Sequence, residues 1–274
     1  MPPEVNTVAP TMGTPSQQRP QPEAPARPRP RAHPPTPGNG NTGPNNQPNS
    51  EPNNTRKSST SIRIASLNIN GATAPSENTS FLEKWNKINH TIQTERIAVL
   101  AIQESHLDEE MTTTLQTRYE KNLKIIVSAH PTRPRAKAGI AFILNKKLLN
   151  PEEIKQYELI PGKVLMLNIK WLGTCNMPIL NVYAPNDRNA HVEFWAKILL
   201  ERRSRHAPIP DFMLGDFNVM EDAIDRMPPR LNTEKAIMAL RDLRHEWGIS
   251  DAWRQMNPSE LAFTYRAQTA SGET

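Results

Sequence analysis

Residues 61–274 are predicted to form a layered α/β sandwich with mixed sheets. Short stretches rich in β-branched and apolar residues indicate strands, and longer amphipathic stretches between some of them indicate helices. Two strands, 163–171 and 177–185, follow each other closely, which favours antiparallel pairing and argues against a purely parallel, doubly wound sheet. The predicted strands span residues 61–69, 96–104, 123–129, 138–145, 163–171, 177–185 and 211–217.

Three helices are predicted among those strands. Ser80 and Glu83 form a capping-box pattern at the start of the first helix, and apolar residues then recur at helical spacing. The second helix runs from about residue 190 to 205. The third begins near Asn232 or Thr233 and ends before Gly248, because glycine is the residue type that most readily terminates a helix.

Residues 1–60 differ in composition from the rest of the chain. They contain 15 of the 27 prolines and no aromatic residue, and Asn, Gln, Ser and Thr fill much of the remainder. Such a segment buries too little apolar surface to offset the entropy of ordering, so it is predicted to be a disordered tail preceding a domain of residues 61–274. Its stretch PRPRAHPPTP is compatible with an unknown partner but is more typical of a spacer.

The chain is expected to be a soluble, intracellular monomer. Its N-terminus lacks the apolar core of a secretory signal, and no apolar run approaches the ~20 residues of a membrane span. The single cysteine, Cys175, excludes an internal disulfide and suits a reducing compartment.

The net charge of +5 is weak evidence for nucleic-acid binding. Six of the 33 basic and three of the 28 acidic residues lie in the tail, which leaves 27 basic against 25 acidic residues in the folded part. The basic segments 131–139 and 201–206 are more suggestive. Each either contacts a phosphate backbone or is simply solvated, the first as a loop and the second as a helix end.

Polar side chains stand at the ends of four predicted strands. Each has a local explanation, as a turn former, a loop cap, a half-buried strand residue or an Asx turn. Their coincidence favours a shared cleft, since ligand sites in α/β sheets gather outside the carboxyl ends of strands. A carboxylate with a carboxamide suits Mg²⁺, a second carboxylate can activate water, and phenol and amide donors stabilise charge on a phosphoryl oxygen. The residues are Asn68, Glu104, Tyr183 with Asn186, and Asp216 with Asn218.

The ordered motifs LNING (67–71), QES (103–105), NVYAPN (181–186) and GDFN (215–218) resemble those of the endonuclease/exonuclease/phosphatase superfamily. Within it, the sequence is most similar to the apurinic-endonuclease-like domain of non-LTR retrotransposons. The stretches LNVYAPNDRNAHVEFW, GDFNVMEDAIDR and DAWRQMNPSELAFTYR carry that similarity. The resemblance covers residues 61–274 and implies a four-layer α/β sandwich with two mixed sheets flanked by helices. It also implies Mg²⁺-dependent hydrolysis, with Mn²⁺ as a possible substitute, and DNA as the substrate.

The resemblance also implies roles for individual residues. Glu104, with Asn68, would hold the metal ion, and Asp216 would position or deprotonate the attacking water. Tyr183 and Asn218 would bind the scissile phosphate, and Asn186 would contact the nucleic-acid backbone. The basic segment between two strands would help to grip that backbone through Arg133, Arg135 and Lys137.

The sequence departs from the family pattern near its end. Family members carry an aspartate in a stretch of the type Ser-Arg-Ile-Asp and then an Asp-His pair, whereas this chain has FTYRAQTASGET at 263–274. His106 and His130 do not occupy matching contexts. An incomplete domain that lacks the last strands and has impaired activity is therefore expected. The alternatives are a catalytically dead remnant that is inert or only binds nucleic acid, and a phosphatase or sphingomyelinase-like phosphodiesterase. A retroelement enzyme would act in the nucleus.

Overall fold

A computed structural model describes residues 61–71, 78–171, 175–225 and 233–261 of the chain. The predicted tail 1–60 and the segment 263–274 lie outside the described residues. The strands are β1 Ile64–Asn68, β2 Val99–Gln103, β3 Leu123–Ser128, β4 Ile140–Asn145, β5 Lys155–Ile160, β6 Val164–Trp171, β7 Cys175–Tyr183 and β8 Phe212–Asp216. The α-helices are α1 Asn78–Thr94, α2 Glu109–Tyr119, α3 His191–Ser204, α4 Glu234–Trp247 and α5 Ala252–Met256.

The strands form two mixed sheets of four strands each, as the sequence predicts. The first sheet has the order β1-β2-β4-β3, with β1 and β2 parallel and the other pairs antiparallel. The second has the order β5-β6-β7-β8, with β7 and β8 parallel and the other pairs antiparallel. Each sheet therefore contains one parallel pair, and that pair has two carboxyl ends side by side.

Three apolar clusters define the layers. Between the sheets, Phe142 and Leu144 of β4 lie in one cluster with Leu167 of β6. On the outer face of the first sheet, helices α1 and α2 bury side chains such as Trp85 against the strands. On the outer face of the second sheet, α3 and α4 contribute residues such as Trp195. The order helix, sheet, sheet, helix is the four-layer sandwich expected from the sequence.

Helix α2 and strand β5 were missed by the sequence analysis. Helix α2 has Asp108 as its N-cap, whose side chain accepts a hydrogen bond from Met111 N, but its three successive threonines have low helix propensity. Strand β5 is short and largely exposed along its first half, so its alternation is weak. Helix α1 begins at Asn78, two residues before the predicted start at Ser80.

A buried polar pair joins the two sheets below their carboxyl ends. Gln103 of β2 donates from Nε2 to Asn181 Oδ1 of β7 at 2.7 Å. Asn181 Nδ2 in turn donates to the carbonyls of Ile102 and Ala141, both at 3.0 Å. Because buried amides are stable only when their hydrogen bonds are made, this network fixes the two sheets relative to each other. Among the described residues, no helix combines the length and apolar character needed to cross a bilayer.

Candidate active site

The parallel strand pairs of the two sheets bring four carboxyl ends to one edge of the sandwich. Asn68 is paired with Gln103 at the ends of β1 and β2, and Tyr183 is paired with Asp216 at the ends of β7 and β8. Asn68 Nδ2 donates to Asp216 Oδ2 at 2.9 Å and to Glu104 Oε1 at 3.0 Å. One amide group from the first sheet therefore contacts a carboxylate at the end of each parallel pair.

The Asn68 side chain is held at both ends. Its Oδ1 accepts a hydrogen bond from Asn70 N at 2.8 Å, so the Nδ2 group is directed toward the two carboxylates. Lys84 of α1 donates from Nζ to the carbonyls of Ile69 and Gly71, each at 2.5 Å, and so ties the loop after β1 to a helix. These contacts fix the amide before any ligand binds.

Glu104 lies on a constrained backbone. Its φ is 51°, in the left-handed region that residues with a Cβ rarely adopt, and His106 two residues later has φ 49°. Flanking hydrogen bonds hold the segment: Gly71 N donates to Glu104 O at 2.8 Å, and Ser105 N donates to Gly139 O at 2.9 Å. Each left-handed residue of this type costs roughly 1–2 kcal/mol. Strain of this kind is concentrated at functional sites.

His106 packs against the turn after β1. A Cβ on Gly71 would lie 2.5 Å from His106 Nδ1, so the close approach of ring and turn requires glycine at that position. Burial is the main cause that lowers the pKa of His106, and the positive charge of Lys84 acts in the same direction. The charge of Glu104 opposes both.

Tyr183 is half-buried beside Glu104. Burial, followed by the negative charge of Glu104 and a hydrogen bond with it, raises the pKa of Tyr183 to about 12. The charge of Asp216 acts in the same direction, and a hydrogen bond with Asn186 acts against it. The phenol is therefore protonated at neutral pH, and its O–H donates to the Glu104 carboxylate.

Asp216 and Asn218 form the turn that follows β8. Asp216 Oδ1 accepts from Asn218 N at 3.1 Å, which is the Asx turn that the sequence left open. The other carboxylate oxygen faces Asn68, so a local turn and a contact between sheets use the same residue. Asn218 has φ 50°, and its Nδ2 donates to Ala184 O at 2.9 Å. The turn is thereby fixed to the end of β7.

Gly215 allows β8 to approach β7 closely. A Cβ at this position would lie 1.9 Å from Val182 O, well inside van der Waals contact, and the glycine has φ 137°. The glycine of the GDFN motif is therefore required by strand pairing. It places Asp216 directly beside Tyr183.

The basic segment 131–139 is an ordered turn whose charges differ in availability. Arg135 pairs with Asp108 and with Glu110, the latter at 2.8 Å. Arg133 and Lys137 are exposed, and no salt bridge is formed by either within the described residues. Only part of the charge predicted to contact DNA is thus uncompensated.

The histidine that precedes this segment has a local role. His130 Nδ1 accepts from Thr132 N at 3.3 Å and from Arg133 N at 3.2 Å, which closes the turn.

The second basic segment, 201–206, is engaged within the protein. Arg202 donates to Ala207 O at 2.9 Å, Arg203 pairs with Glu246 at 2.6 Å, and Arg205 pairs with Glu201 at 3.3 Å. These contacts favour the interpretation of a solvated helix end.

The donor set at the strand ends suits a hard cation that retains most of its water. Two carboxylates, from Glu104 and Asp216, are bridged by the amide of Asn68, and both carboxylates offer oxygen ligands. Mg²⁺ is bound in proteins by few carboxylates and several waters. No group of three or more His, Cys, Asp or Glu side chains suited to a metal occurs in the described ranges.

Solved structures of known enzymes share this arrangement of sheets and helices. An AP endonuclease from Archaeoglobus fulgidus superposes with a TM-score of 0.59, at 16% identity, over 77% of this chain and 80% of that one. The chain has the fold of the AP endonucleases. The 3′ phosphatase NExo from Neisseria, solved bound to a product DNA hairpin, superposes with a TM-score of 0.53 at 16% identity, covering 77% and 80% of the two chains. The fold predicted from the four motifs is confirmed.

A curated relative comes from a mobile element. The transposon TX1 uncharacterized 149 kDa protein of Xenopus laevis is 32% identical over 116 residues, which is 42% of this chain. The chain spans only 9% of the length of that relative. No protein-family model matches the sequence. The predicted resemblance to retrotransposon endonucleases therefore agrees with a similarity to one transposon protein.

The sequence analysis did not identify Asn181 and Lys84, which hold in place the strands and the turn that carry the site residues. Asn181 is buried and sets the spacing of the sheets through its bond to Gln103, a residue of the QES motif, and Lys84 holds the turn after β1. Asn181 interrupts the apolar run of β7, and a buried-strand pattern with one carboxamide is a signal that could have identified it. Nothing in the sequence indicates which residue would be its partner.

Proposed function

We propose that the chain is a divalent-metal-dependent phosphodiester hydrolase whose substrate is DNA. The observation that carries the proposal is the Asn68 amide, which contacts both Glu104 and Asp216 where the two sheets meet. Two carboxylates held on either side of one amide, on a solvent-accessible edge, are suited to bind a cation with one and to polarise a water with the other.

Each residue at the strand ends has a proposed task. Glu104, together with Asn68, would hold Mg²⁺ or Mn²⁺, and the bound ion would neutralise charge on a phosphoryl oxygen. Asp216 orients the attacking water and accepts its proton, because Asn68 and the Asn218 turn fix both carboxylate oxygens. Asn68 thus serves both groups.

Tyr183, Asn218 and Asn186 are proposed to bind the DNA phosphates. Tyr183 donates a hydrogen bond to a phosphoryl oxygen, since its raised pKa keeps the phenol protonated at neutral pH. Asn218 binds the phosphate from a fixed position, since its Nδ2 donates to Ala184 O and its backbone N donates to Asp216 Oδ1. Asn186 is exposed beside Tyr183, and its proposed task is to contact the DNA backbone next to the scissile phosphate.

Support for DNA as the substrate comes from the relatives and from local charge. One solved neighbour is named an AP endonuclease, and another is bound to a DNA hairpin. The similarity to a transposon protein supports a role in nicking target DNA for a mobile element, which would take place in the nucleus. Arg133 and Lys137 provide exposed positive charge. We place the proposed activity in the domain of residues 61–274, acting as a monomer.

The decisive experiment measures metal binding and cleavage separately. Calorimetry with Mg²⁺ and a plasmid-nicking assay are run on the full chain and on Glu104→Gln, Asp216→Asn and Glu152→Gln. Glu152 is an exposed carboxylate that follows β4, away from the candidate active site at the ends of β1, β2, β7 and β8. It is the matched control. We expect Glu104→Gln to weaken Mg²⁺ binding about tenfold or more. Either site variant should lower nicking ~10²-fold or more, and the control should change neither quantity.

Three other outcomes separate the alternatives. Equal Mg²⁺ affinity in all four proteins would contradict the proposed metal site. Normal Mg²⁺ and DNA binding without nicking above background would favour a remnant that only binds nucleic acid. Hydrolysis of a phospholipid headgroup but not of DNA would favour the phosphatase or sphingomyelinase-like alternative.

A further inference from the structure

Three lysines from separate elements lie together next to the candidate active site. They are Lys137 of the β3–β4 loop, Lys163 of the β5–β6 turn and Lys197 of α3, here called the lysine cluster. Two of them were not singled out by the sequence, because they stand more than 25 residues from each other and from the basic segment in which Lys137 lies.

Backbone contacts bring the loop of Lys137 onto the turn of Lys163. Gly139 N donates to Gly162 O at 3.0 Å, and a Cβ on Gly162 would lie only 3.0 Å from His130 Cα. The two connections are therefore in direct contact, with no side chain between them at that point. This packing sets the position of Lys137 relative to Lys163.

Helix α3 brings in the third lysine. Lys163 Nζ lies 5.9 Å from the centroid of the Phe194 ring, and Lys197 follows Phe194 by three residues on the same face of the helix. Burial, then the positive charges of Lys197 and Lys137, lower the pKa of Lys163. The ammonium groups of Lys137 and Lys197 are thus each close enough to repel that of Lys163.

The lysine cluster adjoins the residues proposed to hold the reacting phosphate. Lys163 O accepts from Tyr183 N at 2.8 Å, so the two residues lie side by side at the end of the β6–β7 ladder. Gly139, two residues after Lys137, accepts from Ser105 N beside Glu104. The lysine cluster therefore borders the candidate site on the side formed by the β3–β4 loop and α3.

The lysine cluster has no carboxylate partner in the part of the chain that the structure describes. Within the described residues, none of its three side chains forms a salt bridge, whereas Arg135 nearby is paired with two carboxylates. Like charges held together without a counter-charge raise the free energy of the unbound protein, and an anion placed among them relieves that repulsion. A half-buried, unpaired Lys163 differs in this respect from an ordinary solvated lysine.

We propose that the lysine cluster binds backbone phosphates of DNA adjacent to the phosphate at Glu104 and Asp216. The identification of DNA rests on the proposed function, and the placement rests on the contacts of Lys163 with Tyr183 and α3. Lysines act as point charges with no planar fork to read base edges, so this contact is independent of sequence. It would set the register of the strand on the protein.

Salt-dependent DNA binding tests the proposal. Binding of a short duplex of mixed sequence is measured with EDTA present, over a range of salt concentrations, for the full chain and for Lys163→Met, Lys197→Met and the double variant. Methionine retains the apolar stem that covers Phe194. Each single variant is expected to reduce the slope of log K against log salt by about 1, and the double variant by about 2. Thermal unfolding of each variant is measured in parallel and is expected to stay unchanged.

Lys147→Met is the matched control. Lys147 is exposed after β4, at the opposite end of the first sheet, because β4 runs antiparallel to β2. The slope of log K against log salt and the DNA affinity of Lys147→Met should equal those of the unmodified chain. Slopes that are the same in all five proteins would overturn the proposal, as would binding of the lysine cluster to phosphatidylserine vesicles in place of DNA.

The same proteins distinguish this inference from the proposed function. If Glu104→Gln abolishes nicking while Lys163→Met keeps the full salt slope, only the lysine cluster is refuted. If the lysine variants lose their slope while no protein nicks DNA, the lysine cluster stands as a nucleic-acid contact and the catalytic proposal fails. If the unmodified chain shows no salt-dependent binding to DNA, both are refuted.

Discussion

Asn68 and Asp216 are 148 positions apart in the sequence and are joined by a hydrogen bond of 2.9 Å from Asn68 Nδ2 to Asp216 Oδ2. Because β1 belongs to the first sheet and β8 to the second, this bond spans the sandwich at its polar edge. The same nitrogen reaches Glu104, so two carboxylates that would otherwise repel each other share one donor. The distance between those carboxylates therefore depends on a neutral side chain.

Replacing Asn68 should loosen both carboxylates at once. For Asn68→Ala we expect Mg²⁺ affinity to fall about tenfold or more, because residues that orient metal ligands typically contribute that much. Calorimetry measures the affinity, with Asn176→Ala as the control, since Asn176 is exposed at the opposite end of β7. Unchanged affinity in Asn68→Ala would show that the carboxylates are held by their own backbones alone.

Asn181→Leu tests the buried network between the sheets. Leucine leaves Gln103 Nε2 and the carbonyls of Ile102 and Ala141 without their partner in a dry interior. Each unsatisfied buried group costs about 1–3 kcal/mol, so the free energy of unfolding should fall by at least about 2 kcal/mol. Urea unfolding measures the loss. The exposed substitution Asn176→Leu in the same strand should be close to neutral, and equal effects at the two positions would contradict a special role for Asn181.

Gly215→Ala should be far more damaging than another glycine substitution in the same fold. The added Cβ would overlap Val182 O, so β8 must move away from β7 and take Asp216 with it. Gly248 is the matched control, because it caps α4 with φ 67° and has open space around it. Gly248→Ala should cost about 1 kcal/mol from its backbone conformation. Thermal unfolding should show a much larger loss of stability for Gly215→Ala than for Gly248→Ala. Similar losses of stability would show that β7 and β8 do not need a glycine at position 215.

His191 makes stability depend on pH on the acidic side. It is fully buried at the start of α3, and neither ring nitrogen has a hydrogen-bond partner of ordinary geometry within the described ranges. Burial lowers the pKa of His191 from its usual 6.5, while the Pro185 backbone and the charge of Asp187 act in the opposite direction. The positive end of the α3 dipole also disfavours an imidazolium at this position.

The direction of the pH dependence follows from the different proton affinities of His191 in the folded and unfolded chain. Below pH 6.5 the unfolded chain binds a proton at His191 before the folded chain does, so stability is lost as the pH falls from 6.5 toward the lowered value. Urea unfolding between pH 7 and pH 5 should show a smaller acid loss for His191→Phe than for the unmodified chain. His106 also has a lowered pKa, so part of the acid loss should persist in the variant. Parallel pH profiles for the two proteins would exclude His191 as a source.

The fold and the candidate site were predictable to different depths. The four strand-end motifs identified both the fold and the residues that meet at the edge, because parallel strands deliver their carboxyl ends together whatever the exact register. Pairwise contacts were not predictable. That Arg135 is paired with Asp108 and Glu110 depends on how a loop packs on α2, a helix whose threonines conceal it in the sequence. The partner of Asn181 likewise follows only from the stacking of two sheets.

The left-handed backbone at Glu104 has a consequence for protein engineering. A screen that rewards heat resistance alone would favour glycine or asparagine at position 104, since either relaxes the conformation that glutamate occupies at φ 51°. The selected variants would be more heat-resistant and would lack the carboxylate at position 104. Heat resistance and the proposed metal binding therefore place opposite demands on position 104. A variant that is both more stable and able to bind the metal has to gain its stability at other positions.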